Sequence, residues 1–261
     1  MTLTLLSRLI ATVIIYLALA LSYLGIGWAG SRLFKISIFS KHKFFALAWA
    51  GWAFALLLLQ ALNLFFPINA YSSIPLLLFG LISAVNFFIT EFRSGTKLAL
   101  PGIYLILLVI AALWIADLSM FAPNNYDSGL YHFISIHWLN ESPIVLGLGN
   151  LYGRLAFNQS FFSYVAYLNL YPLFNHGYNL ANSFLLLLLL SEYLLLLTNY
   201  IARKERRLNL LIADMAAIAL IPVLIYLALN SNLPSPTPDT ASSVLEILIF
   251  IQFIRVILER P

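Results

Sequence analysis

Residues 98–116 read LALPGIYLILLVIAALWIA, nineteen positions without one charged side chain. A helix rises about 1.5 Å per residue, so this stretch reaches close to the ~30 Å of a hydrocarbon core. It offers none of the polar face that a soluble helix turns to water. It therefore reads as a membrane-crossing helix, and the same reading repeats on both sides of it. Apolar runs at roughly 5–29, 44–66, 74–90, 178–200, 209–228 and 243–257 bring the total to seven spans. The third and the last are short, which predicts tilt or local thinning of the bilayer.

Composition agrees with this. The chain has 261 residues, 62% hydrophobic and 9% charged, against roughly 45–50% and about 25% in soluble domains. A water-soluble globule is excluded. The expected fold class is all-α, a polytopic transmembrane helix bundle. Cysteine is absent, which excludes disulfides, thiolate metal sites and a cysteine nucleophile. The first apolar segment is too long for a signal-peptide core and lacks a small-residue cleavage pattern, so it reads as a span.

The net charge of +4 is explained by topology, and nucleic acid is not an expected partner. Arg32, Lys35, Lys41 and Lys43 follow span one, and Arg93 and Lys97 follow span three. Arg203, Lys204, Arg206 and Arg207 follow span five, and Arg255 and Arg260 end span seven, which makes 12 of the 14 basic residues. Only Arg8 and Arg154 fall elsewhere. Lysine and arginine gather on the cytoplasmic side, so the expectation is an N-terminus outside and a C-terminus in the cytoplasm, in a bacterial plasma membrane.

One connection departs from the pattern. Residues 117–177 form a long outer stretch, DLSMFAPNNYDSGLYHFISIHWLNESPIVLGLGNLYGRLAFNQSFFSYVAYLNLYPLFNHG, rich in polar side chains. It holds Asp117, Asp127, His132, His137, His176 and Arg154. Within it, residues 128–140 fit a helix whose Leu130, Phe133, Ile134, His137 and Trp138 share one face, as in a helix lying in the membrane interface. Pro143, Gly147 and Gly149 end that helix and open the loop GLGNLYGR. Phe161–Phe174, interrupted by Asn169 and Pro172, suits a second interfacial or re-entrant piece. Together these pieces are expected to roof the outer mouth of the bundle.

A span ending WIADL, followed by NNYDSGLYH, an amphipathic helix and a glycine-containing loop with Arg154, resembles the first outer loop of GT-C-type membrane glycosyltransferases. The stretch YDSGLYHFISIHWLNESPIVLGLGNLYGRLAFNQSFF also resembles a group of large uncharacterised bacterial membrane proteins of GT-C-like layout. The resemblance is close over about residues 115–180 and rests on span layout elsewhere. It implies transfer of a sugar from a polyprenyl-phosphate carrier at the outer face, with an acidic residue of that loop taking part. Many GT-C enzymes carry the loop after their first span, more spans, and often a soluble C-terminal domain. Here three spans precede the one that leads into the loop, so the chain is expected to be a partial version or the N-terminal portion of a larger protein.

On that resemblance Asp127 is the first candidate, a general base that takes the proton of an acceptor hydroxyl. Read from the sequence alone, Asp127 also fits the N-cap of the helix behind it. Asp117 is a second acid or, beside Asp127, a ligand to a divalent cation, the one candidate cofactor. Arg154 opposes the charge bias of the chain, and its guanidinium suits a phosphate; the alternative is an ion pair with Asp127, Asp117 or Glu141. His132, five residues and about 140° from Asp127 on an ideal helix, suits a phosphate contact or a proton shuttle. His176, Tyr131 and Asn150 complete the candidate phosphate- and substrate-binding set, and the glycines of GLGNLYG can bring backbone amides to an anion. His137 reads as a packing residue.

Outside the loop, Asp239 and Glu246 are secondary candidates near the outer end of span seven. Glu192 and Asp214 lie in apolar runs nearer the cytoplasm, where a charge must pair or face the bundle interior. They sustain an alternative, a transporter or flippase-like protein, and a third reading is a non-catalytic subunit of a cell-surface polysaccharide system. A transporter concentrates polar groups near the midplane, whereas this sequence concentrates them in one outer loop. The expected partners are membrane lipids and a polyprenyl-phosphate-linked sugar.

Overall fold

The computed structural model describes residues 2–36, 43–95, 100–156, 159–202, 212–230 and 232–258. Among these the regular structure is entirely helical, and seven stretches are long and apolar enough to cross a membrane. They are α1 (Thr2–Leu33), α2 (Lys43–Asn63), α3 (Ala70–Arg93), α4 (Gly102–Ser119), α8 (Gly177–Ala202), the pair α9 (Ile212–Ala219) and α10 (Ile221–Asn230), and α11 (Pro238–Leu258). The protein is an integral membrane helix bundle.

The two spans expected to be short are not. α3 has 24 residues and α11 has 21. Both begin with polar residues that a hydropathy window discounts. In α3, Asn69 accepts from the amide of Tyr71 while Ser72 accepts from the amide of Asn69, a reciprocal N-terminal cap. In α11, Pro238 opens the helix and Asp239 occupies its first turn. The sixth span is broken between Ala219 and Ile221. Pro222 has no N–H to give the carbonyl of Ile218, so the helical ladder stops and restarts there.

Helix α8 is central. Of its most apolar window 83% is buried by protein, against 22–44% in the other six spans, and it packs against α4, the short α7 (Ser160–Asn169), α9, α10, α11 and α1. The outer spans turn Leu, Ile, Val and Phe side chains outward, as lipid-facing helices do. Helix α1 meets α2 and α3 backbone to backbone, where Gly27 faces Gly51 and Gly25 faces Gly80.

The connections 64–69, 120–156 with 159–176, and 232–237 knit together at one end, the loop end. The amide of Ile68 donates to Leu139 O (2.7 Å), that of Ile144 to Asn63 O (2.8 Å), and that of Ala70 to Tyr171 O (2.9 Å). Arg32, Lys43 and Arg93 lie at the opposite end, where Lys43 pairs with Glu91 at 2.6 Å. Lys41, Lys97, Arg203, Lys204, Arg206, Arg207 and Arg260 lie outside the described residues.

The long connection holds a π-helical turn (Ser128–His132) leading into α5 (Phe133–Glu141), then α6 (Leu148–Leu151), a 3₁₀ turn (Gly153–Ala156) and α7 (Ser160–Asn169). Helix α7 has ten residues, all but Ser160 buried, and is too short to cross a membrane. It is packed inside the bundle against the spans. Tyr164 packs on Tyr23 of α1 and Trp52 of α2. At its last position Asn169 ties it to α5 and α8, donating to Asn140 Oδ1 (2.9 Å) and accepting from the amide of Gly177 (2.8 Å).

The face expected for residues 128–140 is also revised. Tyr131, His132, Ile136 and Asn140 are buried, while Ile134 and His137 of the expected apolar face are exposed. The π turn carries an extra residue per turn, which rotates the helical wheel relative to the 3.6-residue period.

Candidate functional site

The site is built from the start of the long connection. Asn125 Oδ1 accepts from the amide of Ser128 at 3.2 Å and so serves the free N–H of the turn. Asp127 makes no such capping bond, and its carboxylate turns elsewhere. Its Oδ1 accepts from Arg154 Nη1 at 2.7 Å, with both side chains nearly half exposed. Of the partners weighed for Arg154, the structure selects Asp127.

The guanidinium of Arg154 also stands over the ring of Tyr131, 5.6 Å from its centroid. Tyr131 and His132 lie beneath the pair, both buried, their rings 4.4 Å apart. Burial pushes the Tyr131 phenol up from its ordinary value; the carboxylates of Asp127 and Asp239 act with burial, and Arg154 acts against it. Burial pulls the His132 imidazole below its ordinary value, opposed by the same two carboxylates. His132 Nδ1 shares a 3.2 Å hydrogen bond with Ser128 Oγ. The wider π turn brings His132 within the field of Asp127, which an ideal helix would have pointed away.

Asp239 joins this cluster from α11. Its Oδ2 accepts from Thr237 Oγ1 at 2.7 Å, and the loop before it is buried, with Ser235 and Thr237 at 0% and 3% exposure. Asn125 donates its amide to Ser235 Oγ at 3.4 Å, tying the two connections together.

The other candidates are placed elsewhere. Asp117 is exposed at the end of α4, and among the described residues its carboxylate makes no hydrogen bond or ion pair, with Asp127 or any other group. Among the described residues no three His, Asp or Glu side chains gather as a metal site. His176 is exposed and shares a 3.1 Å bond with Tyr178. His137 pairs with Glu141 at 3.4 Å. Glu246 is exposed along α11, beyond the turn that carries Asp239. Gly147 takes a left-handed φ of +79°, and the amides of Asn150, Tyr152 and Leu155 are used within the loop.

Beside the cluster lies a cleft of about 370 Å³, between the end of α5, the loop through Asn150, and the start of α7. Phe162 lines it and also packs on His132, with ring centroids 5.2 Å apart, so cleft and cluster share a wall. This cleft was not legible in the sequence, because its walls come from four short elements whose contacts no periodicity encodes.

Glu192 and Asp214, the residues that would serve a transport path, are buried and face one arginine. Arg255 Nη1 reaches Glu192 Oε1 at 3.4 Å and its Nη2 reaches Asp214 Oδ1 at 3.3 Å, with both acids buried. Arg255 is thus an internal partner rather than a surface marker of topology.

Comparison with curated proteins and with solved structures finds no match. The profile of a family described as a domain of unknown function, DUF8201, matches residues 9–260, and the chain belongs to that family.

Proposed function

We propose that this protein is a GT-C-like membrane glycosyltransferase that moves a sugar from a polyprenyl-phosphate carrier to an acceptor hydroxyl, with the loop end on the outer face of a bacterial plasma membrane and the N-terminus outside. The observation that carries this reading is the Asp127–Arg154 pair, accessible at the loop end, above two buried rings and beside a cleft. In the reaction, Asp127 takes the proton of the acceptor hydroxyl as that oxygen bonds to the anomeric carbon. The bond from that carbon to the phosphate oxygen breaks, and the phosphate leaves with the electron pair. Arg154 holds the leaving phosphate. Asp127 engages one of the five N–H donors of its guanidinium, and the remaining donors suit a second anion. His132 and Tyr131 hold the pair from below, and Asp239 adds a second carboxylate to the field.

The test uses membranes carrying the full chain and a panel of radiolabelled polyprenyl-phosphate monosaccharides, with loss of carrier-linked label as the readout. The wild type is expected to turn over at least one donor. Asp127→Asn is expected to lose about 10²–10⁴ of that rate, the usual contribution of a general base, and Arg154→Ala to lose activity while both insert normally. Full activity of both variants, or no turnover of any donor by the wild type, overturns the reading.

A further inference from the structure

We propose that two apolar connections at the loop end, residues 64–66 and 144–146, form a wedge that dips into the leaflet on that side, with lipid acyl chains as its partner. The inference rests on the membrane bundle and is independent of the transferase reading. Leu64, Phe65 and Phe66 follow α2 and are all exposed, Phe65 at 72%. Ile144, Val145 and Leu146 follow α5 and are exposed too, Leu146 at 91%. A single residue holds the two segments side by side. Buried Asn63 accepts from the amide of Ile144 at 2.8 Å, and its Nδ2 donates to Phe66 O at 3.2 Å and to Ser142 O at 3.3 Å. No charged residue falls between Lys43 and Glu91, or between Glu141 and Arg154, so neither segment carries a charge that would hold it in water.

Large apolar side chains gathered at one exposed anchor mark an interaction surface, and the surroundings name its occupant. Leu57, Leu58 and Leu62 are exposed on the last two turns of α2, part of the lipid-facing surface of that span. Leu64, Phe65 and Phe66 extend the same surface past the helix end. Backbone that enters a bilayer must bring its own hydrogen bonds. Here the amide of Leu64 donates to Ala61 O, those of Phe65 and Phe66 donate to Leu62 O, and that of Ile144 donates to Asn63 O. Gly147 takes its left-handed φ directly after Leu146 and turns the chain away. A three-residue segment spans at most about 10 Å, short of the ~15 Å to the bilayer midplane, so the wedge reaches the upper acyl chains. Helix α6 follows it and packs on the 3₁₀ turn that carries Arg154. Anchoring the wedge therefore also fixes the depth of that turn beside the leaflet.

The chain has no cysteine, so single cysteines can carry a nitroxide label without interference. The labelled variants are Phe65→Cys and Leu146→Cys, with Ile106→Cys on the exposed face of α4 and Asn124→Cys in the long connection as references. Each is the full chain in phosphatidylcholine vesicles, and thermal melting checks the fold. Electron paramagnetic resonance then compares collisions with oxygen, which partitions into lipid, and with a neutral nickel chelate, which stays in water. Labels at 65 and 146 are expected to meet oxygen roughly three-fold or more over the chelate, as at 106, and the label at 124 the reverse. The unlabelled wild type gives a second reading, since phosphatidylcholine with a diazirine on its acyl chain is expected to crosslink to both segments. The inference is overturned by chelate contact at 65 and 146 equal to that at 124, or by crosslinks to neither segment. Spin–spin broadening at 146 with both reagents shut out also overturns it and assigns the patch to a second copy. Labels in lipid on a chain that transfers no sugar keep this inference and remove the transferase reading. Sugar transfer by a chain whose labels face water does the reverse.

Discussion

Asn182 Nδ2 donates to the carbonyl oxygens of both Ser235 and Thr237, each at 2.9 Å. One fully buried amide of the central helix therefore holds the loop between the last two spans against the mouth of the bundle. Asp239 follows that loop and reaches Tyr131 and His132 through its field. The position of the second carboxylate in the cluster thus depends on a side chain that lies next to a run of leucines and resembles none of the candidate site residues.

Asn182→Leu strips both carbonyls of their donor while keeping a side chain of similar size. Each buried acceptor left unsatisfied costs roughly 1–3 kcal/mol, so a fall in melting temperature is expected in detergent. Asn182→Asp, which lacks the N–H groups but keeps the shape, is expected to fall at least as far. Melting within error of the wild type for both variants rules out the tether.

Acidity offers a second measurement. The folded chain holds the His132 imidazole below its ordinary value of about 6.5, whereas the unfolded chain takes up the proton near that value. The unfolded state then binds more protons as pH drops through 6.5, so this contribution to stability is complete above 6.5 and is lost as pH falls toward the lower folded value. Melting temperature is expected to decline between pH 7 and pH 5, and His132→Gln is expected to flatten part of that decline. An unchanged slope in the variant assigns the pH response to other groups.

The seven spans were legible because hydropathy needs only apolar side chains in sufficient number. Their ends were not, since Asn69, Ser72 and Asp239 belong to helices by hydrogen bonding and first-turn position rather than by hydropathy. Asp127 and Arg154 stood out in the sequence for their place in the loop and their charge, and the structure pairs them. The buried face of the 128–140 helix was misread because one π turn shifts the wheel, and no residue in SGLYH announces that turn. Arg255 was counted with the basic residues that set topology, although it faces two acids on other helices. Contacts between helices distant in the chain have no periodic signature in the sequence.

The glycine contacts between α1 and α2 give a third prediction. A Cβ on Gly51 would stand 1.7 Å from Tyr23 O and 2.7 Å from Gly27 N, backbone atoms that cannot move aside singly. Gly51→Ala is expected to cost roughly 1–3 kcal/mol or more, as overpacking does. A Cβ on Gly102, in the first turn of α4, meets nothing within 4 Å. Gly102→Ala is expected to stabilise by about 0.5–1 kcal/mol through lost backbone freedom in the unfolded chain. Equal melting of the two variants would remove the distinction between a packed and an open glycine.

The last prediction concerns the buried triad. Arg255 is 15% exposed at its side chain, and Glu192 and Asp214 are 3% and 2% exposed. Arg255→Met leaves two carboxylates in the bundle without their cation, a change that costs roughly 3–5 kcal/mol when one partner of a buried pair is removed. Replacing all three together by apolar residues of similar size, as Glu192→Met, Asp214→Leu and Arg255→Met, removes the charges along with the need to pair them. Such exchanges are often neutral or stabilising, so the triple variant is expected to melt near or above the wild type while the single variant melts well below it. The same pair of variants separates structure from transport. If the triad only holds α8, α9 and α11 together, the triple variant keeps whatever activity the wild type shows. If Glu192 and Asp214 carry a substrate, that activity disappears although the fold is intact.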